Sequence, residues 1–189
     1  MSTGIAMFAY NYVILRRAGV DGVTAFTIVG YVSYLFSMVV VGFGQGASPL
    51  MSFAYGAEEY ELAKRLRRRT NGMVFAIGTV VFVMMTFLSG QYSGLFVQRG
   101  EIREMVQTGM VIFMVSFFFS GTNAITSFYF TSIGKALESA VISMSRGLVV
   151  LLACIFVLPA WFGMTGVWLA APVTETVTIC ISWWMVRRE

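Results

Sequence analysis

The sequence predicts an all-α membrane protein, a six-helix transmembrane bundle, and three observations carry that reading. The charges are confined to short clusters: no Asp, Glu, Lys or Arg lies between Asp21 and Glu58, Thr70 and Arg99, Glu104 and Lys135, or Arg146 and Glu175. Each gap is at least the roughly 20 residues that a helix needs to cross the hydrocarbon. The composition agrees, with 58% hydrophobic and 12% charged residues, where soluble domains carry about 25% charged. The Lys and Arg residues also alternate from one side to the other along the chain, as positive-inside sorting requires.

The first helix covers about 2–16. It resembles a signal-peptide core, but its basic residues, Arg16 and Arg17, follow the apolar run instead of preceding it. At ~1.5 Å per residue it reaches only ~21 Å, short of a ~30 Å core. It reads as the second half of a truncated helix, so that the chain starts in mid-span. Residues 16–22 (RRAGVDG) form a turn, with Gly19 and Gly22 as breakers. Helix two runs over 23–46. In the following segment, 42–57 (GFGQGASPLMSFAYGA), alternating glycines and Pro49 predict irregular backbone. Such backbone is tolerated at this depth only when packed in protein or lining a wet cavity. No G-K-[ST] follows, which excludes a phosphate loop.

Residues 56–71 (GAEEYELAKRLRRRTN) predict a short amphipathic helix on the membrane face, its basic half against anionic lipid. Helix three follows over 71–95, and its lack of polar residues places it toward lipid. Helix four covers 104–133, helix five 139–160 and helix six 164–186, with a turn at 161–163. Trp168, Trp183 and Trp184 near the ends of helix six suggest an aromatic belt. Lys64, Arg65, Arg67, Arg68, Arg69, Lys135, Arg146, Arg187 and Arg188 fall on one side; Arg16, Arg17, Arg99 and Arg103 fall on the other. The first set is therefore expected in the cytoplasm. The +4 net charge is a topology signal, not one for nucleic acid. Residues 1–189 form a single transmembrane domain.

Cys154 and Cys180 sit alone in apolar runs and read as buried small hydrophobes. With no His and no C-x-x-C, neither a metal nor another cofactor is expected. The absence of His and of paired carboxylates also argues against an enzyme. Intramembrane polar residues are functional candidates because hydrocarbon offers them no partner. They are Asn11 on helix one; Tyr31, Ser33, Tyr34, Ser37, Gln45 and Ser48 on or after helix two; Ser116, Ser120, Thr122, Asn123, Thr126 and Ser127 on helix four; and Thr174, Glu175, Thr176 and Thr178 on helix six. Arg146 lies ~14 Å and Glu175 ~17 Å from the same membrane face at ~1.5 Å per residue. Consecutive antiparallel helices pack together, so an ion pair is expected between them.

The run G-x-x-Q-G-x-x-P-L-x-S-x-x-Y-G-A at 42–57 resembles the signature of the multidrug and toxic compound extrusion (MATE) transporters. Residues 130–146 (FTSIGKALESAVISMSR) are similar to the start of that family's penultimate helix. Residues 162–175 (FGMTGVWLAAPVTE) resemble its F-G-x-x-G-x-W-x-x-x-P-x-x-E run. Family members have twelve helices in two lobes, and these motifs match the C-terminal lobe. The resemblance implies half of a multidrug efflux antiporter exporting cationic or amphipathic compounds for protons or sodium. It would sit as a multi-pass protein in the plasma membrane, the inner membrane of a bacterium. Asn11, Tyr34, Gln45, Ser48, Asn123 and Ser127 would then bind substrate, and Glu175 with Arg146 would couple the ion. The implied partners are the drug, the coupling cation, membrane lipids and an N-terminal lobe on another chain. Helix one has no acid, and Asn123 stands where one branch of the family carries an Asp, so coupling here departs from that branch. The alternatives are a non-transporting fragment of a truncated or split gene and a lipid-linked oligosaccharide flippase.

Overall fold

The computed structural model describes residues 2–98 and 100–189. The elements are α1 (Ser2–Gly56), α2 (Tyr60–Phe96), α3 (Gly100–Met114), α4 (Phe117–Ser132), α5 (Ala136–Met144), a π-helical turn (Ser145–Val149) and α6 (Val150–Arg187). No strand occurs among the described residues.

Two of these elements are too long for single spans, and each is folded back on itself at one glycine. Gly19 has φ 62° and ψ −155° inside α1, and Gly163 has φ 57° and ψ −134° inside α6. Only glycine occupies that region without steric cost. An unbroken helix would place Tyr10 and Phe26 ~24 Å apart, yet their rings stack at 4.6 Å. At the second break, a Cβ on Gly166 would strike the carbonyl of Leu158, eight residues earlier. Both breaks are therefore hairpin reversals. Three elements meet the length and hydropathy of a membrane span, and α3 with α4, bent by 46°, makes a fourth. Dividing two of these at Gly19 and Gly163 gives the six limbs that the sequence predicts.

The bundle packs through small residues. Gly109 of α3 admits the Trp168 ring, Gly121 of α4 admits Val74, and Gly44 of α1 admits Phe128. Trp168 also contacts Phe26 at 5.9 Å and Phe113 at 6.5 Å. Close approach of this kind drives helix association where lipid removes the hydrophobic effect. Arg103 ties α3 to α2 by donating to the Gly90 carbonyl at 2.8 Å.

Several expectations need correction. The 42–57 segment is helical up to Gly56, because Gly44 packs on α4 and a membrane helix tolerates Pro49. Residues 60–71 are not a separate surface helix but the first turns of α2. Trp168 is not a belt residue: it is 1% exposed in the core. Trp183 and Trp184 do lie outside, with the guanidiniums of Arg187 and Arg188 over their rings at 3.5 and 3.6 Å. Cys154 is half-buried and Cys180 exposed, so neither is a core hydrophobe. Helix four is bent rather than continuous. Arg99 lies outside the described residues.

Candidate functional site

The site forms where α4, the π-helical turn and the last limb of α6 meet. Glu175, Thr178 and Ser182 recur at helical spacing on α6 and are all buried, so they put one polar stripe on the inward face. Asn123 of α4 is fully buried against that stripe. Its Nδ2 donates to Glu175 Oε2 at 2.8 Å and to the Glu175 carbonyl at 3.0 Å, and its Oδ1 accepts from Ser182 Oγ at 3.0 Å.

The other oxygen of Glu175 faces Arg146. Arg146 Nη2 donates to Oε1 at 2.7 Å and Nε donates to it at 3.2 Å. The ion pair expected from the two depths is thus present. Arg146 projects from the π-helical turn, a distortion that frequently marks functional positions in α-helices. Pairing is needed here, because a lone charge near the bilayer centre costs ~3 kcal/mol on insertion scales.

Two buried hydroxyls, Tyr10 OH and Thr174 Oγ1, have no hydrogen-bond partner among the described residues. Tyr10 lies within electrostatic reach of Glu175. It also lines a cavity of about 370 Å³ between the two limbs of α1, with Phe26, Tyr31, Ser33, Tyr34, Ser37 and Phe113 among its walls. Tyr10 is therefore a wall of the cavity that lies in the field of the charged knot.

Of the sequence-predicted residues, Asn123, Arg146 and Glu175 meet, and Tyr34 lines the cavity. Ser127 is directed to α5, where it pairs with Ser139 and Ser143 at 2.9 Å each. Asn11 and Ser48 are half-buried, and Gln45 is exposed. The structure does not bring Gln45, Asn123 and Ser127 to one cavity. Sequence reasoning missed Tyr10 and Ser182. The 175–178–182 spacing was a usable signal for Ser182, whereas nothing local distinguishes Tyr10 from the other tyrosines.

The MatE family profile matches residues 3–157. The fold superposes on the outward-facing conformation of a multidrug resistance MATE family transporter of the MOP superfamily with a TM-score of 0.92 and 22% identity, covering 99% of this chain and 43% of that one. A MOP superfamily transporter from Pyrococcus furiosus gives a TM-score of 0.90 at 22% identity, with the same coverage. MATE solved in complex with MaD3S gives 0.89 at 24%, covering 99% and 42%. An uncharacterized protein of Mycoplasma genitalium, MG447, is 23% identical over 131 residues, 68% of this chain and 24% of that protein. The chain thus spans about a quarter of that relative and less than half of the transporters it matches. Its candidate spans make it a multi-pass membrane protein. With the profile matched over most of its length, the chain belongs to the MatE family.

Proposed function

We propose that this chain is the C-terminal lobe of a multidrug efflux antiporter, one that exports cationic or amphipathic compounds in exchange for protons or sodium. The observation that carries this reading is the Glu175–Arg146–Asn123 knot, within electrostatic reach of Tyr10, which itself lines an aromatic cavity. A cation arriving at Glu175 competes with Arg146 for Oε1. Release of Arg146 then alters packing at the π-helical turn, which is a conformational output for an ion-binding input. The tyrosine and phenylalanine walls offer faces to flat cations.

The cavity walls carry no Lys or Arg, which disfavours a flippase for an anionic pyrophosphate-linked substrate. Nor do they offer paired acid–base groups, which is why transport rather than catalysis is proposed. The transport cycle requires a second lobe. The test is ethidium efflux from cells that express residues 1–189 fused to, or together with, an N-terminal lobe of the family. Extrusion that depends on both lobes and falls at least tenfold with Glu175→Gln supports the reading; efflux unchanged by Glu175→Gln overturns the coupling role. Robust efflux by residues 1–189 alone would overturn the half-transporter reading, and no efflux with any lobe would favour the non-transporting fragment.

A further inference from the structure

A second cavity, of about 420 Å³, opens between α2, α4 and α6 at the end of the bundle that carries the basic clusters. Its walls include Arg67, Thr122, Thr126, Ser182, Trp183 and Arg187, and none of its lining residues is acidic. Its counterpart at the opposite end is lined by Glu101 and Glu104 and by no basic residue. The two cavities are thus lined by charges of opposite sign.

Arg67 does not behave as an ordinary solvated surface cation. It is half-buried, its guanidinium lies over the Tyr129 ring at 5.3 Å, and its Nε is buried with no hydrogen-bond partner among the described residues. A buried guanidinium N–H without an acceptor is costly and rare in native structures. Glu189 acts on Arg67 electrostatically. It accepts the Tyr129 hydroxyl at 2.7 Å, and no ion pair joins it to Arg67 among the described residues. Arg187, on the other wall, is exposed, and its guanidinium lies over the Trp183 ring at 3.5 Å. Thr122, Thr126 and Ser182 also line the cavity; Thr126 and Ser182 donate their protons to the Thr122 carbonyl and to Asn123 Oδ1, which leaves the Thr122 hydroxyl as the donor for an occupant.

Two guanidiniums and the Thr122 hydroxyl lining one pocket match the oxygens of a phosphate, which arginine binds through paired N–H groups. Basic pockets between membrane helices at the headgroup level serve this chemistry. We propose that this cavity binds a phosphate-bearing anion, held by Arg67 and Arg187. The anion is either the headgroup of an anionic phospholipid or free phosphate. Ser182 is shared with the Asn123 knot, so an occupant of the cavity is in contact with the wall of the Glu175 site.

The test compares purified residues 1–189 with two charge-matched variants. Arg67→Gln with Arg187→Gln removes the cavity cations; Arg68→Gln with Arg69→Gln removes two exposed ones. Native mass spectrometry measures binding of phosphatidylglycerol against phosphatidylcholine, and separately of inorganic phosphate. The expected result is saturable binding that weakens at least tenfold in the first variant and less than twofold in the second. Selectivity for phosphatidylglycerol identifies the headgroup as the source, and binding of inorganic phosphate identifies the free ion. If the first variant does not fold, Arg187→Gln alone and the isosteric Thr122→Val should each weaken binding at least threefold. Equal losses in both double variants would mean only diffuse attraction to the basic face and would overturn the proposal. So would no binding of either probe, or unchanged binding in the single variants.

Discussion

Both Nε and Nη2 of Arg146 donate to one oxygen of Glu175, at 3.2 and 2.7 Å, and the other oxygen is left to Asn123. The carboxylate is thus divided between two neighbours on different helices. Neither can be lost without leaving a polar group stranded at a depth where water does not replace it.

Removing one member of the pair should therefore cost more than removing both. Arg146→Gln or Glu175→Gln alone is expected to lower the yield of folded protein several-fold, because each leaves an uncompensated buried group. The double variant should recover most of that yield in fluorescence-detected size-exclusion chromatography. Transport should stay lost in the double variant of a two-lobed assembly if Glu175 carries the coupling ion. A double variant no better than the singles would show that the pair is not coupled.

Asn123→Ala removes a donor to Glu175 and an acceptor for Ser182. The expected cost is about 1–3 kcal/mol, the usual range for stranding buried polar partners. Phe87→Ala is the control: Phe87 is 82% exposed and should change the melting temperature in detergent little. In a two-lobed transporter, Asn123→Ala should also shift drug preference more than Phe87→Ala does. Equal effects of the two on stability and preference would leave Asn123 without a special role.

Gly109 leaves the space that Trp168 fills. Gly109→Leu should destabilise by about 1–3 kcal/mol through overpacking, and Trp168→Ala in the same chain should return part of that loss. The readout is the thermal unfolding midpoint in detergent. A leucine tolerated with Trp168 still in place would contradict the packing.

The two ends of the bundle should label from opposite sides of the membrane. In a chain with Cys154 and Cys180 replaced by serine, Arg68→Cys should be shielded from an impermeant maleimide in intact cells, and Glu101→Cys should react. Labelling of both from outside would overturn the assignment of the basic end to the cytoplasm.

Much of this was legible because charge is scarce in the chain. With only one acid and one cation deep in the last two helices, depth arithmetic alone joined Arg146 to Glu175. The middle spans followed from the charge gaps for the same reason, whereas the division of the last gap rested on the turn at 161–163. What escaped the sequence depends on three-dimensional partners. Gly42, Gly44, Gly46 and Pro49 read as a break, yet hydrogen bonding within a membrane helix holds α1 together through them. Trp168 stands at a span end, where belts form, but the cleft at Gly109 takes it inside. Gln45 is polar enough to suggest a cavity, and its neighbours' packing turns it outward. The bend between α3 and α4 has no glycine or proline to announce it.

The π-helical turn at 145–149 has a consequence of phase. One surplus residue rotates everything beyond it by about 100° relative to an uninterrupted α-helix. The stretch before it can therefore be indexed to α4, where Ser139 and Ser143 meet Ser127. The stretch after it can be indexed separately to the core that encloses Ile155. A single span thus keeps two rotational settings, and Arg146 sits at the joint between them.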